Sequence, residues 1–264
     1  MDAFIRWAGS KKQLLPFLSS FWKMSFNRYI EPFAGSACLF FSIEPRKAIL
    51  GDLNPDLINM LRMVKQQPNH VVEALSRMPI GEKAYYKIRD TDDKLLTEVE
   101  RAAIFIYLNK FCFNGLYRTN KSGKFNVPYG DTKGSDTIDV QRILNASRLL
   151  QRAQLLCNDF YPVLQLASKG DFVYMDPPYF VDGKRVFSEY QAQPFGVSDL
   201  DRLTGELLRL DKKGVKFVVS YADCKEGRSF LKPWLATKVT TRRNIAGFAS
   251  NRKVAKELVA TNIH

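Results

Sequence analysis

The run Asp176-Pro177-Pro178-Tyr179 is the part of this chain whose residue types and spacing could most directly do chemistry. It follows an apolar stretch, Phe172 to Met175, that reads as a buried strand. Two consecutive prolines fix φ and bring no N–H donor, so the strand must stop there and the chain must turn rigidly. In an open α/β sheet such a turn lies at the carboxyl edge, where ligands bind. An aspartate at that place offers two acceptor oxygens, the Pro177 carbonyl offers another, and Tyr179 offers a flat aromatic face. Together they could hold an exocyclic amine by both protons while its ring stacks on the tyrosine. A lone proline pair after a strand is ordinarily just a turn. The whole tetrapeptide is rarer: at roughly 5% usage per residue type it arises by chance in about one chain in a thousand of this size.

The elements that must position this turn follow from the pattern of apolar residues. Tyr29 to Glu31, Ala48 to Leu50, Phe172 to Met175, Val215 to Val219 and Glu257 to Ala260 read as buried strands, and amphipathic helical stretches lie between them. That alternation predicts an α/β fold with a mostly parallel sheet covered on both faces. One helix is well marked: Ser198 and Asp201 resemble a capping box, Leu200, Leu203, Leu207 and Leu210 share a face, and Gly214 stands at the C-terminal cap. Between Pro55 and about Asp136 the alternation stops and helical patterns dominate, ending in the turn-rich basic segment Asn114 to Gly130. The expected organisation is a catalytic domain formed by residues 1–54 and 137–264, with residues 55–136 inserted as a mainly helical domain.

Composition narrows the chemistry. The chain has 264 residues, 45% of them hydrophobic, enough for a substantial core and too apolar for a disordered chain. No stretch reaches the roughly 18 consecutive apolar residues of a membrane span, and the first residues lack the layout of a signal peptide. A cytoplasmic protein without a membrane partner is expected. Cys38, Cys112, Cys157 and Cys224 are widely spaced, and His70 and His264 have no ligating neighbours, so neither a disulfide framework nor a metal centre is suggested. The formal net charge of +13 favours a polyanionic partner, nucleic acid being the commonest. The charge is concentrated: Lys225 to Lys256 holds nine Lys or Arg against the single acid Glu226. Nothing in the sequence signals an oligomeric state.

Several further segments stand in order along the chain: Phe4-Ile5-Arg6-Trp7-Ala8-Gly9-Ser10-Lys11, Glu31-Pro32-Phe33-Ala34-Gly35-Ser36 and Gly51-Asp52-Leu53-Asn54-Pro55-Asp56-Leu57. Tyr107 to Lys110, Phe113 to Arg118 and Phe125 to Gly130 follow. With Asp176 to Tyr179, this set resembles the Dam-type (D12 class) DNA adenine-N6 methyltransferases from Phe4 to Asn262. The resemblance implies a Rossmann-like, S-adenosylmethionine-dependent methyltransferase sheet with an inserted, mainly helical target-recognition domain. It implies S-adenosylmethionine as cofactor, double-stranded DNA as partner and 5′-GATC as the target.

Residue by residue, the resemblance makes Asp176, Pro177 and Tyr179 catalytic, and places Trp7, Lys11, Phe33, Gly35, Asp52, Asp159, Phe160 and Asp176 on the cofactor. By themselves Trp7 reads as a core residue, Lys11 as a surface cation and Asp52 as an acid at the start of a helix. Gly35 allows close backbone approach to a ligand, and the family's second glycine is here Ala37. DNA contacts are implied for Arg6, Phe113, Asn114, Leu116, Arg118 and Pro128; the family usually has tyrosine at Phe113. Lys124, in the same basic turn, is expected on phosphate. Without the resemblance, Asn114-Gly115 is an ordinary turn, and Lys121 and Lys124 belong to a solvated loop.

The implied mechanism flips an adenine from the duplex, stacks it on Tyr179 and directs its amine through Asp176 and the Pro177 carbonyl. Cytosine-N4 methylation uses related chemistry, but the surrounding motifs resemble the adenine group. Protein-glutamine methyltransferases usually carry asparagine where Asp176 stands, and carbon-5 cytosine methylation needs a Pro-Cys nucleophile that no cysteine here provides. A catalytically silent DNA-binding protein would keep the basic surfaces without needing the intact tetrapeptide.

Overall fold

Strand-forming runs and helices alternate through most of the chain in the computed structural model, which describes residues 1–120, 122–130, 137–180, 195–242 and 254–263. The strands are β1 (Tyr29–Glu31), β2 (Ala48–Asp52), β3 (Ala153–Cys157), β4 (Phe172–Met175), β5 (Lys216–Ala222), β6 (Leu235–Arg242) and β7 (Val254–Thr261). They form one seven-stranded sheet in the order β3-β2-β1-β4-β5-β7-β6. The first five strands are parallel; β7 runs antiparallel between β5 and β6. The expected α/β fold is therefore present as a mixed sheet. The run Glu257 to Ala260 is a strand as expected, but an antiparallel one, a distinction that apolar composition does not encode.

The chain order reverses between β1 and β4. From β1 it proceeds outward through β2 to β3, then returns to place β4 on the other side of β1. Such a switch point opens a crevice at the carboxyl ends of the strands, because the connections leave to opposite sides.

Alternation within the strands divides the core between the two faces. Tyr29, Leu50, Phe172 and Tyr174 face one side; Ile30, Ile49, Val173 and Met175 face the other. The first face packs α1 (Leu15–Ser19), α2 (Cys38–Ile43), α3 (Pro55–Gln66), α4 (Pro68–Ser76), α5 (Glu82–Arg89), α6 (Glu98–Phe111) and α7 (Val140–Leu150) into one continuous apolar cluster. The helices that follow β2 thus share the core of the sheet. The second face is covered by α8 (Phe160–Gln165) and α9 (Val197–Lys212).

Local chemistry starts these helices where they begin. The Asn54 side chain accepts from the N–H groups of Asp56 and Leu57, both at 3.0 Å, and Pro55 occupies the first turn of α3. Thr97 and Glu100 form a reciprocal capping box at α6. Helix α9 buries Leu200, Leu203, Leu207 and Leu210 as the spacing predicts, and Gly214 follows it at φ +76°. Its cap is not Ser198 with Asp201: the Gly196 N–H donates to Asp199 at 3.0 Å, so the helix starts earlier, with Val197 and Ser198 exposed. The short Asp199 side chain reaches back to that N–H. No helix among the described residues is long and apolar enough to cross a membrane.

Beyond the backbone ladder between β5 and β7, a buried amide ties the end of β7 to the parallel sheet. Asn262 accepts from the Phe217 N–H at 2.9 Å and donates to the Val215 carbonyl at 2.9 Å and to Asp211 at 2.8 Å. Asn262→Ala leaves these buried groups without their partner and is expected to cost about 1–3 kcal/mol. Urea denaturation measures it; a loss below about 0.5 kcal/mol would show that strand pairing alone holds β7.

Candidate active site

Beyond β4, Asp176 projects into the crevice at the switch point, with its side chain 21% exposed. One carboxylate oxygen, Oδ2, accepts from Lys11 Nζ at 2.8 Å, and the other, Oδ1, accepts from the Ser220 hydroxyl at 2.9 Å. Ser220 lies on β5 and is itself 3.1 Å from the Tyr174 hydroxyl, so the phenol donates into the serine as the serine donates to Asp176. Both oxygens are fixed in direction, and each keeps a lone pair for another donor. Pro177 is buried beside them. The next turn is held from beneath by Tyr221, whose hydroxyl accepts from the Phe180 N–H at 2.7 Å. Its ring meets Tyr179 at 5.0 Å between centroids, tilted 60°.

Lys11 is not a surface residue. It is 5% exposed, donates to the Gly9 carbonyl at 2.9 Å as well as to Asp176, and lies 5.3 Å from the centre of the Tyr179 ring. A second carboxylate, Glu257 on β7, stands 3.8 Å from the same ammonium. Burial works against the charge on Lys11, but Asp176 beside it, with Glu257 beyond, outweighs that cost and raises the pKa above the usual lysine value. The lysine therefore remains a cation. Burial likewise pushes the Tyr179 phenol far up, with Asp176 adding to the effect, so the ring is neutral.

A second group of residues lies at the ends of β1, β2 and β3. Asp52 closes β2, and its carboxylate accepts from the N–H groups of Gly35 and Asn54, both at 2.9 Å. It therefore ties the turn after β1 to the end of β2, while Asn54 caps α3. Gly35 sits at φ +48°, and a Cβ there would meet the Trp7 ring at 2.7 Å. Ala37, where the family's glycine would stand, also has positive φ, +51°, a conformation costing a non-glycine residue about 1–2 kcal/mol. The turn keeps its shape at that cost. Phe33 and Phe160 face each other at 5.4 Å, and Phe195 closes the group at 6.1 Å from Phe33. Asp159 caps α8 by accepting from the Tyr161 N–H at 2.9 Å and pairs with Arg202 at 2.6 Å. The same guanidinium lies 4.7 Å over Phe160.

The third group is a compact turn beside the N-terminal segment. Asn114 and Gly115 both have positive φ, +56° and +63°, which throws Phe113 and Asn114 outward with Pro128 next to them. The Phe113 N–H donates to the Pro128 carbonyl at 2.9 Å. Leu116 is half-buried. Arg118 is directed by Asn126: Nε donates to the amide oxygen at 2.7 Å and Nη2 to the backbone carbonyl at 3.1 Å. Lys124 is exposed, with Nζ 3.3 Å from the Asp90 carbonyl; Lys121 falls outside the described residues. Arg6 is exposed, and its backbone is gripped by Asn109, which accepts from the Arg6 N–H at 2.9 Å and donates to the Arg6 carbonyl at 2.8 Å. Trp7 is half-buried, stacked on Tyr117 at 5.4 Å and on Phe105 at 6.4 Å.

These placements coincide with a known pattern over most of the chain: residues 7–245 match the model of the D12 class N6 adenine-specific DNA methyltransferases. The chain belongs to that family. Its relatives include the Type II methyltransferase M1.LlaDCHI of Lactococcus lactis subsp. cremoris, 34% identical with 98% of this chain and 94% of the relative covered. The Type II methyltransferase M.MjaIII of Methanocaldococcus jannaschii is 37% identical over 82% of this chain and 83% of its own. The DNA adenine methylase of Escherichia coli K12 is 28% identical, covering 98% and 94%.

Sequence reasoning did not find Ser220, Tyr221, Phe195, Arg202, Asn126 or Glu257 as parts of these groups. Ser220 and Tyr221 end an apolar strand whose alternation already reads as core, and Glu257 lies in the middle of another. The signal for Glu257 was present in retrospect, since a charged residue in a buried strand needs a partner.

Glu31 ends β1, the strand flanked by β2 with Asp52 and by β4 with Asp176 beyond it. It is 2% exposed and accepts from the Tyr29 hydroxyl at 2.9 Å. Burial pushes its carboxyl well above the ordinary value of 4.5; the tyrosine bond opposes this, and Asp176 and Asp52 add to it. Because the fold holds this proton more tightly than the unfolded chain, the contribution to stability is fully present below 4.5 and is lost as pH rises above it. Glu31→Gln is expected to remove that loss. In urea denaturation from pH 4 to 8, the variant should gain on the parent by up to about 1.4 kcal/mol per pH unit. A difference that stays constant with pH would show that Glu31 titrates as an exposed glutamate does.

Proposed function

We propose that this protein transfers a methyl group from S-adenosylmethionine to N6 of an adenine flipped out of duplex DNA, within the sequence 5′-GATC. The observation that carries the reading is the fixed carboxylate of Asp176 at the switch point, beside the Pro177 backbone and the neutral ring of Tyr179. The donor supplies a methyl group activated on a cationic sulfur. The residues after β1 and β2 fit such a group. Gly35 keeps its backbone bare of a side chain, Phe33 and Phe160 offer aromatic faces, and Asp52 and Asp159 offer carboxylate oxygens beside them. Trp7 packs against the Gly35 turn, and Lys11 contacts Asp176.

In this reading Asp176 and the Pro177 carbonyl accept hydrogen bonds from the two N–H groups of the target amine, so that its lone pair points at the methyl carbon. Tyr179 stacks the base. The gain is mostly one of orientation and electrostatic placement, for which groups fixed before the substrate arrives are the effective ones. Asp176 is so fixed, by Lys11 on one oxygen and Ser220 on the other. The turn carrying Phe113, Asn114, Leu116 and Pro128, with Arg6 beside it, forms the DNA-reading side, and residues 55–136 form the target-recognition domain. A cytoplasmic location goes with a DNA substrate.

Asp176→Ala is expected to reduce methyl transfer by about 100-fold or more while DNA binding persists. Tritiated-methyl incorporation followed by nucleoside analysis tests both the residue and the product. Turnover near that of the parent would remove Asp176 from the reaction, and a product other than N6-methyladenine would overturn the proposed chemistry.

Target reading has its own test. Arg118 is presented by the two bonds it donates to Asn126, and a bidentate arginine discriminates one base by about 1–3 kcal/mol, whereas lysine on phosphate adds affinity for all sequences. Arg118→Ala is expected to relax discrimination at one base pair. Lys124→Ala should weaken every duplex alike and lower the salt slope by about one. The assay uses the GATC duplex and each single-base variant; a common factor of loss for Arg118→Ala would make Arg118 a backbone anchor, and a better substrate among the variants would replace GATC.

A further inference from the structure

Arg202 projects from α9 to the start of α8, where it touches both residues that the cofactor group takes from that turn. Its Nη2 donates to Asp159 Oδ1 at 2.6 Å, its Nη1 reaches Oδ2 at 3.5 Å, and the guanidinium lies 4.7 Å over the centre of the Phe160 ring. A further contact runs back to its own helix. Nη1 donates to Asp199 Oδ1 at 2.9 Å, and Asp199 accepts from the Gly196 N–H at 3.0 Å through its other oxygen. The arginine is thus held from behind while it holds α8.

A surface ion pair of this kind adds little to stability, since the Arg202 side chain is 45% exposed and solvent screens its charge. What the contacts fix is direction. Asp159 Oδ1 accepts from both the Tyr161 N–H, at 2.9 Å, and Arg202, whereas among the described residues Oδ2 has only the long contact at 3.5 Å. Oδ2 is therefore the oxygen left for an incoming donor. Asp52 differs, because each of its oxygens already accepts from a backbone N–H at 2.9 Å. Beside Asp159 stand the rings of Phe33 and Phe160, 5.4 Å apart, which suit a flat heterocycle. The part of S-adenosylmethionine that combines a flat ring with an N–H donor on its edge is the purine with its exocyclic amine. A planar guanidinium can grip a carboxylate and lie on an aromatic face at the same time, which an ammonium does less well.

We propose that Arg202 is a positioning residue for the methyl donor: by holding one oxygen of Asp159 and lying over Phe160, it sets the other oxygen to accept from the exocyclic amine of the donor's purine. The inference rests on S-adenosylmethionine being the donor and on Asp159 lying against it. It predicts that losing Arg202 costs recognition of that amine rather than binding of the whole molecule.

The test is calorimetric titration of the full chain with S-adenosylhomocysteine, the product left after transfer, and with S-inosylhomocysteine, in which a carbonyl oxygen replaces the purine's amine. The proteins are the parent, Arg202→Met, Arg202→Lys and Asp159→Ala. The parent is expected to favour the adenosyl compound by about tenfold or more. Arg202→Met keeps an unbranched stem beside Phe160 and loses the donors; it should weaken the adenosyl compound about fivefold while the inosyl compound changes less than about twofold. Arg202→Lys restores the charge without the fork, and its preference should fall between those of the methionine variant and the parent. Where Arg202→Met does not fold, as its melting curve would show, the lysine variant carries the test. Equal losses for both compounds in a folded variant would make Arg202 a packing residue, and a preference unchanged from the parent would overturn the proposal. Failure of the underlying reading looks different: a parent that binds neither compound sinks the choice of donor, and a preference that survives Asp159→Ala removes Asp159 from the purine.

Discussion

An ammonium held in the interior next to a carboxylate is the interaction on which the rest of this site depends. Removing Lys11 from water costs several kcal/mol, recovered only if geometry and partners are good. Asp176 at 2.8 Å, the Gly9 carbonyl at 2.9 Å and Glu257 at 3.8 Å are those partners. They come from three distant parts of the sequence: an N-terminal turn, the loop after β4 and the middle of β7. The pair therefore works as a lock between elements. Its energetic return lies less in stability, where apolar packing would do as well, than in direction, because Asp176 can then neither rotate nor move away.

The neighbouring carboxylates show how one edge of a sheet assigns different states to the same chemistry. Glu31, Asp52 and Asp176 end or follow β1, β2 and β4. Glu31 is enclosed and meets a phenol, so its neutral form is favoured. Asp52 is also raised by burial, but three backbone N–H groups oppose the shift by favouring the charged form. Asp176 alone has a cation in contact. The switch point brings these groups together, and their immediate neighbours separate their roles.

Much of this was legible in the sequence, for physical reasons that differ from element to element. The strands β1, β2, β4 and β5 announce themselves as apolar runs because both faces of the sheet are covered. Asp176 to Tyr179 is legible because two prolines after such a run force a turn. The antiparallel direction of β7 was hidden: hydrophobicity has no sign along the chain. The burial of Lys11 was equally hidden, since an isolated lysine in a turn looks solvated until its carboxylates are placed around it. Ser220 and Tyr221 disappear into the pattern of their strand because a hydroxyl adds little to the apolar period. In α9 the earlier start was missed because Ser198 and Asp201 offer the more familiar residue types, whereas the bond at the helix entry runs from the Gly196 N–H to Asp199.

The turn that faces outward is joined to the cofactor side by contacts that leave little room for independent motion. Asn109, buried in α6, grips the Arg6 backbone from both sides and places its amide 3.5 Å from the Gly115 carbonyl. One side chain thus sets the distance between the N-terminal segment and the Asn114-Gly115 turn. The next residue, Trp7, lies between the Gly35 turn and Tyr117, whose hydroxyl donates to Asp56 at 2.9 Å. A larger residue at position 35 would strike Trp7, and a displaced Trp7 would lose its stack on Tyr117. Packed aromatic contacts and buried amide bonds resist gradual deformation. Glycine at position 35 is therefore required twice: by the turn that holds Asp52, and by the aromatic ring that connects this turn to the residues reaching outward.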